Sequence, residues 1–264
     1  MTTAFTEEMI DVGGTHIQML KGGSGEPLVV LHGAGGNSGW LNYVNALSDK
    51  YTVYLPSHPG YGKSERPDWL ETMADLASFY TWFLEVQGLE GSRAIGFSMG
   101  GWLAAEIAAS CRHAFSKLML VDAAGIQPQQ GEIADIFIIS PAQVAELLFH
   151  DPKQAPEYES IYGGEPTPEQ TDIAEGNREM SVRLCWKPYL HNPSLSYYLR
   201  KVTTPTLIIW GKQDAIFPLE CGELYRDALP NATLNSIDQS GNRPHIEKPQ
   251  EFLGAVEEFL AGLN

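Results

Sequence analysis

The segment Ala94-Ile95-Gly96-Phe97-Ser98-Met99-Gly100-Gly101 sets a serine between two glycines, entered from a short apolar run and left by an alanine-rich helical pattern. A strand that turns directly into a helix holds its middle residue in a strained backbone conformation and lifts that residue's hydroxyl clear of the sheet edge. Side chains two residues either side of such a turn would collide, which gives Gly96 and Gly100 a steric reason to be glycine. The helix that follows must pack close to the sheet, and Gly101, Ala104, Ala105, Ala108 and Ala109 allow it. Ser98 is therefore a candidate nucleophile. A chance pair of glycines around a surface serine would explain the five-residue pattern but not its setting. The chemistry open to such a hydroxyl is acyl transfer, which also needs a base, a carboxylate to orient that base, and preorganised donors for a tetrahedral oxyanion. The loop His32-Gly33-Ala34-Gly35-Gly36 can bring backbone N–H groups close to a ligand. As a phosphate cradle it would need the Lys-Ser/Thr ending of a P-loop, which is missing.

The elements that must position these groups come in a regular order. Ile10 to Val12 and Thr15 to Leu20, separated by Gly13-Gly14, predict a hairpin. Leu28 to Leu31 and Tyr51 to Leu55 predict strands, and Pro56 to Ser64 a rigid turn. From Glu71 to Gln87, Met73, Leu76, Ala77, Tyr80, Phe83 and Leu84 recur at three and four residues, the spacing of one helix face, and Gly88 ends it. The Ser98 unit follows, then Leu118 to Val121, a wholly apolar strand of the kind buried on both faces. This alternation, with right-handed crossovers, predicts an α/β fold: a mostly parallel central sheet with helices on both faces and reactive groups at the carboxyl ends of strands. It fails between about Ile126 and Lys201, where short helical patterns such as Pro141 to Phe149 and Glu169 to Trp186 indicate an insertion. It resumes with Thr206 to Trp210, a helix near Leu219 to Leu229, the strand Thr233 to Ile237, and a final helix after Pro249. The expected organisation is a core in two parts, 1–125 and 201–264, interrupted by residues 126–200.

Composition excludes several classes. The chain has 264 residues, 43% of them hydrophobic, enough for one substantial core. Its 17 basic against 33 acidic residues give a formal charge of −16, which argues against nucleic acid or anionic membranes as partners. Cys111, Cys185 and Cys221 are an odd number without metal-type spacing, so reduced thiols in a cytoplasmic setting are expected. The start MTTAFTEEMID lacks a basic region and an apolar stretch, and no run reaches the length of a membrane span.

Four segments together resemble the α/β-hydrolase superfamily: His32-Gly33 after a strand, Gly96-Phe97-Ser98-Met99-Gly100, Trp210-Gly211-Lys212-Gln213-Asp214 with Pro218, and Ser240-Gly241-Asn242-Arg243-Pro244-His245-Ile246-Glu247-Lys248-Pro249. The resemblance spans nearly the whole chain and keeps the family's order of nucleophile, acid and histidine. It implies Ser98 as nucleophile, Asp214 as acid, the backbone amides of Ala34 and Met99 as oxyanion hole, and residues 126–200 as a helical cap roofing a pocket over Ser98. One departure matters. The family's last motif usually runs Gly-His-x-Pro with a downstream Glu-x-Pro, and aligning Gly241, Pro244, His245, Glu247 and Pro249 places Asn242 where the catalytic histidine belongs. An amide can hydrogen bond but has no proton-accepting nitrogen near neutral pH, so it cannot activate Ser98. His245 lies three residues on, a contour of up to about 10 Å, and faces away unless the loop is rebuilt, so a structural role is preferred. Asp122 is an alternative acid with less specific surroundings than Asp214. His32 is read as holding its loop rather than moving protons, and Ser57 before His58 departs from the acidic residue found there in many relatives.

The resulting expectation is a serine hydrolase that cleaves a carboxylic ester of a neutral, partly hydrophobic small molecule through an acyl-enzyme, here crippled by Asn242. Gly33, Phe97, Phe137, Leu148 and Trp186 are expected to line its pocket, with a core role for Phe97 weighed equally. Carbon–carbon bond hydrolysis of a diketone, lactone opening and amide cleavage use the same groups. A non-catalytic ligand-binding protein on the same fold is the reading from another class, and a retained strained elbow argues against it. No cofactor or metal is expected, and the oligomeric state is open.

Overall fold

In the computed structural model, residues 4–262 are described; the first three residues of the amino-terminal reading lie outside them. The strands are β1 (Phe5–Val12), β2 (Thr15–Gly23), β3 (Glu26–Leu31), β4 (Tyr51–Pro56), β5 (Ser92–Phe97), β6 (Phe115–Val121), β7 (Thr206–Gly211) and β8 (Ala232–Ile237). They form one sheet in the order β1-β2-β4-β3-β5-β6-β7-β8. The β1–β2 and β2–β4 pairs are antiparallel and the rest parallel. The hairpin is longer than the hydrophobic pattern suggests because Phe5 to Met9 are exposed, so they leave no alternation to read.

The helices are α1 (Asn42–Ser48), α2 (Met73–Val86), α3 (Met99–Ser110), α4 (Pro141–Leu148), α5 (Tyr158–Tyr162), α6 (Pro168–Cys185), α7 (Leu195–Leu199), α8 (Leu219–Ala228), α9 (Pro244–Glu247) and α10 (Pro249–Leu260). In α2 the Thr72 hydroxyl accepts from the Asp75 amide and the Asp75 side chain closes the capping box, while Gly88 beyond the helix takes a φ of +64°. Alternate strand residues divide between two cores. Val29, Leu31, Ala94, Leu118, Leu120 and Ile208 pack with α2, α3 and α8. Leu28, Val30, Ile95, Met119, Val121 and Ile209 pack with α1 and α10. That division is the period of two expected of strands buried on both faces.

Register decides where chemistry can occur. Leu31 pairs with Gly96, Phe97 with Val121, and Val121 with Ile209, so β3, β5, β6 and β7 end in one row. The residues that follow, His32 to Gly36, Ser98, Asp122 and the turn to Asp214, emerge along one edge. β4 and β5 leave β3 on opposite sides, which makes the β3/β5 edge the topological switch point where open parallel sheets bind ligands.

Close backbone approach holds that edge together. A Cβ on Gly100 would overlap the carbonyl oxygens of Leu31 and His32, and one on Gly96 the carbonyl of Gly100. One on Gly101 would lie 2.6 Å from Ala123 Cβ. Because the atoms opposing Gly100 are backbone and cannot rotate away, Gly100→Ala should cost on the order of 3 kcal/mol. Urea unfolding of the two forms measures it.

His245 belongs to the core on the α10 side. It is buried, with its ring centroid 4.2 Å from Phe97, 4.9 Å from Tyr43 and 5.9 Å from Phe252. Its Nδ1 has no hydrogen-bond partner. Burial, with the nearby charge of Arg243 adding to it, holds its pKa well below the ordinary histidine value. The unfolded chain therefore takes up a proton near pH 6.5 that the folded chain refuses, and stability falls as pH drops below that value. His245→Phe should retain the fold and flatten this loss by up to about 1.4 kcal/mol per pH unit below pH 6.5. The opposite-signed contributions of buried carboxyls are common to both forms and cancel in the difference. Parallel slopes from pH 7 to 5 in denaturant titrations would refute it.

Candidate active site

Ser98 caps α3 with φ 51° and ψ −116°, a region disfavoured for any residue with a side chain. Its N–H donates to the Val121 carbonyl (2.9 Å), and its own carbonyl accepts from Gly101 (3.0 Å), Trp102 (3.2 Å) and Ala124 (3.1 Å). These four bonds enforce the strained turn between β5 and α3. Met99 is the first residue of α3, so its amide is one of the helix-start donors without an intrahelical acceptor. A Cβ on Gly33 would lie 3.2 Å from Ser98 Cβ and 3.7 Å from Ser98 Oγ, so the loop bearing Ala34 crosses directly over the hydroxyl.

That loop is held by buried polar groups. His32 Nδ1 lies 2.8 Å from the Gly33 carbonyl and must be protonated to donate to it, which leaves Nε2 to accept the His58 amide at 2.9 Å. His58 Nε2 likewise donates to the His32 carbonyl (3.0 Å), and its Nδ1 accepts from the Tyr80 hydroxyl (2.5 Å). Both rings are neutral. Burial lowers His32 to about 4 and His58 well below its usual range. From above, Asn177 Nδ2 donates to the Gly35 carbonyl (3.0 Å), its Oδ1 accepts from the Gly62 amide (2.9 Å), and the Ser181 hydroxyl donates to the Ala34 carbonyl (2.8 Å). Ser181 also bonds the Tyr61 hydroxyl, 2.8 Å away. Asn177 and Ser181 lie four residues apart on α6. The spacing is visible in the sequence, but the loop they serve is more than 140 residues away.

Asp214 Oδ1 accepts from the amides of Ile216 (2.7 Å) and Phe217 (3.1 Å), and Oδ2 accepts from Asn242 Nδ2 at 2.8 Å. Burial raises the Asp214 pKa to about 6 against these hydrogen bonds, which lower it. Asp122, at the end of β6 with φ 43°, is fully buried; its Oδ1 accepts from the Gly211 amide (2.8 Å), and its side chain also faces that of Asp214. Burial, and then the charge on Asp214, push Asp122 far above the carboxylate range. Of the pair, Asp122 is pushed up the more strongly by burial and by the charge on Asp214, and Asp214 is the carboxylate that meets residue 242.

Glu247 fixes the loop before residue 242. Its Oε2 accepts from the Gly241 amide (2.6 Å), and its Oε1 from the amides of His150 (2.8 Å) and Asp151 (2.9 Å). A Cβ on Gly241 would sit 2.8 Å from the Leu148 carbonyl. The segment following α4 therefore touches the residue-242 loop backbone to backbone.

The structure gathers Ser98, Gly33, Ala34 and Met99 at one point and Asp214 with Asn242 at another on the same edge. It does not bring the five expected pocket residues together. Phe97 packs into the α10-side core with Tyr43, His245 and Phe252, because side chains alternate along β5. Trp186 is 52% exposed, and Phe137 stacks edge-on to Tyr189 at 5.6 Å. Leu148 is buried in the core, its carbonyl against Gly241. Asn177, Ser181 and Tyr61 were not singled out from sequence, since only their tertiary partners give them a role. Among the described residues no group of three or more His, Cys, Asp or Glu could hold a metal ion, and no helix is long and apolar enough to cross a membrane.

Comparison with known proteins agrees with this architecture. Residues 28–255 match the model of the alpha/beta hydrolase family. A 2-hydroxy-6-oxononadienedioate/2-hydroxy-6-oxononatrienedioate hydrolase from Paraburkholderia phymatum is 27% identical over 98% of this chain and 97% of its own length. An uncharacterized protein of Mycobacterium bovis is 26% identical over 90% of this chain and 76% of its own. Among solved structures, a bacterial membrane phospholipase A superposes with a TM-score of 0.84 at 24% identity, covering 98% of this chain and 86% of that one. The 2-hydroxy-6-oxo-6-phenylhexa-2,4-dienoate hydrolase of a Rhodococcus species gives 0.80 at 22%, covering 98% and 100%. At these identities the superpositions speak for the fold. With the family model spanning most of the chain and the strand order, elbow and row of strand ends in place, this protein belongs to the alpha/beta hydrolase family.

Proposed function

We propose that this protein is a serine hydrolase built for acyl transfer at Ser98 in which the general base has been replaced by Asn242. The observation that carries this reading is the 2.8 Å bond from Asn242 Nδ2 to Asp214 Oδ2. A triad histidine makes the same donation through Nδ1–H, and its far nitrogen takes the nucleophile's proton. The amide reproduces the first contact and has nothing to offer for the second. Ala34 and Met99 supply the oxyanion amides in this reading, and residues 126–200 act as a cap whose α6 braces the oxyanion loop. The three free cysteines support a reducing, cytoplasmic location.

The scissile bond is a carboxylic ester in the first reading. Hydrolysis of a carbon–carbon bond next to a ketone is the second, favoured by the name of the Paraburkholderia phymatum relative. Both proceed through the same nucleophile and oxyanion site.

Loss of the histidine from a comparable triad costs on the order of 10⁶ in kcat, so Asn242→His should raise turnover at least thousands-fold. KM should move far less, because the amide already fills the position. The measurement is kcat and KM of both forms across pH on p-nitrophenyl butyrate and on a 2-hydroxy-6-oxo-dienoate, with Ser98→Ala added to the histidine form to abolish turnover. An asparagine form already within tenfold of the histidine form would place the base elsewhere.

A further inference from the structure

Arg243 directly follows Asn242 and occupies the N-cap of α9. Among the described residues its buried Nε has no hydrogen-bond partner and the guanidinium joins no ion pair. One terminal nitrogen, Nη2, lies 3.7 Å from where a Cβ on Gly35 would stand, and Gly35 is exposed. The guanidinium thus occupies the gap between the two loops that frame Ser98, the oxyanion loop on one side and the residue-242 loop on the other. His32 and His245, kept neutral chiefly by burial, are held further down by its positive charge. The acidic side chain that also acts on neighbouring Tyr43, Glu157, bonds the Asn42 amide (3.0 Å) and does not reach Arg243 within ion-pair distance.

A buried Nε–H of a guanidinium without an acceptor is costly, because its desolvation is offset by no hydrogen bond. This chain carries 33 acidic residues against 17 basic ones, so an arginine that joins no ion pair among the described residues, beside the loop that crosses Ser98, is the more telling. Its planar fork is shaped for a carboxylate.

We propose that Arg243 binds a carboxylate carried by the ligand of the Ser98 site, so that the site selects anionic acyl compounds over neutral ones. This replaces the neutral substrate expected from the sequence. It rests on Ser98 being the centre of the binding site, but not on Asn242 standing in for the base, since it is read from binding alone.

The test is isothermal titration of the Ser98→Ala form, which cannot acylate on the probes whichever residue is the base, with the monomethyl esters of succinate, glutarate and adipate and the corresponding neutral dimethyl esters. Hydrogen bonds to a charged group should give at least one monoester about a tenfold advantage over its diester at low salt. The advantage should shrink as salt is added. Arg243→Gln should bring the ratio close to one, and Arg243→Lys should keep part of it, which separates loss of charge from loss of fold. Equal affinities for monoester and diester, a preference that survives Arg243→Gln, or no millimolar binding by any monoester would overturn the proposal. A preference that behaves as stated while Asn242→His gains no turnover would leave this proposal standing and sink the assignment of the base.

Discussion

Everything at the site depends on how closely backbone can approach backbone where β5 turns into α3. Gly96 lies beneath the Gly100 carbonyl, and Gly100 against the carbonyls of Leu31 and His32, with no room for a methyl group at either point. Contact at that range fixes the start of α3 against the end of β3. The loop from His32 to Gly36 then passes directly against Ser98. The unfavourable φ of Ser98 is sustained by hydrogen bonds to β6 and to the residues that follow Asp122, so the strain is distributed over the sheet.

Around that contact the protein has placed polar groups in its interior, and most of those that hold the loops are hydrogen-bonded. The His32–His58–Tyr80 chain consists of neutral groups whose tautomers are dictated by the carbonyls they face. Its work is mechanical, holding Gly33 and Ala34 in position without a charge that would compete at the site. Glu247 is the charged counterpart, a carboxylate saturated by three amides that ties the end of α4 to the loop bearing residue 242. Asp122 and Asp214 are both pushed up by burial, Asp122 the more strongly. Asp214 is bonded by two backbone amides and Asn242.

Asn242 is the inconsistency in an otherwise consistent apparatus. The amide satisfies the geometry that Asp214 demands, so neither the loop nor the carboxylate is disturbed. Under the proposed function, what an asparagine lacks here is a lone pair of suitable basicity, a chemical deficit with no structural trace. His245 does not repair it, since its ring lies among Tyr43, Phe97 and Phe252 in the core below the sheet.

The residues that determine local geometry were legible in the sequence: the glycines of the elbow, the glycines after β3, the alternation that makes a parallel sheet, and the motif spacing that puts Asn242 opposite Asp214. These are readable because each answers a constraint acting over a few residues, whether steric exclusion, strand period or helix period. Only the tertiary structure decided which side chains meet across the chain. Phe97 looked like a pocket residue from its place beside Ser98, yet a strand sends neighbouring side chains to opposite faces, and it belongs to the core. Asn177 and Ser181 acquired a role only when α6 came down on Gly35 and Ala34. Arg243 drew no comment as a sequence position, and only packing places its guanidinium beside Gly35 without an ion pair among the described residues. A contact between residues more than a hundred positions apart is set by the summed packing of every element between them, and no local pattern records that sum.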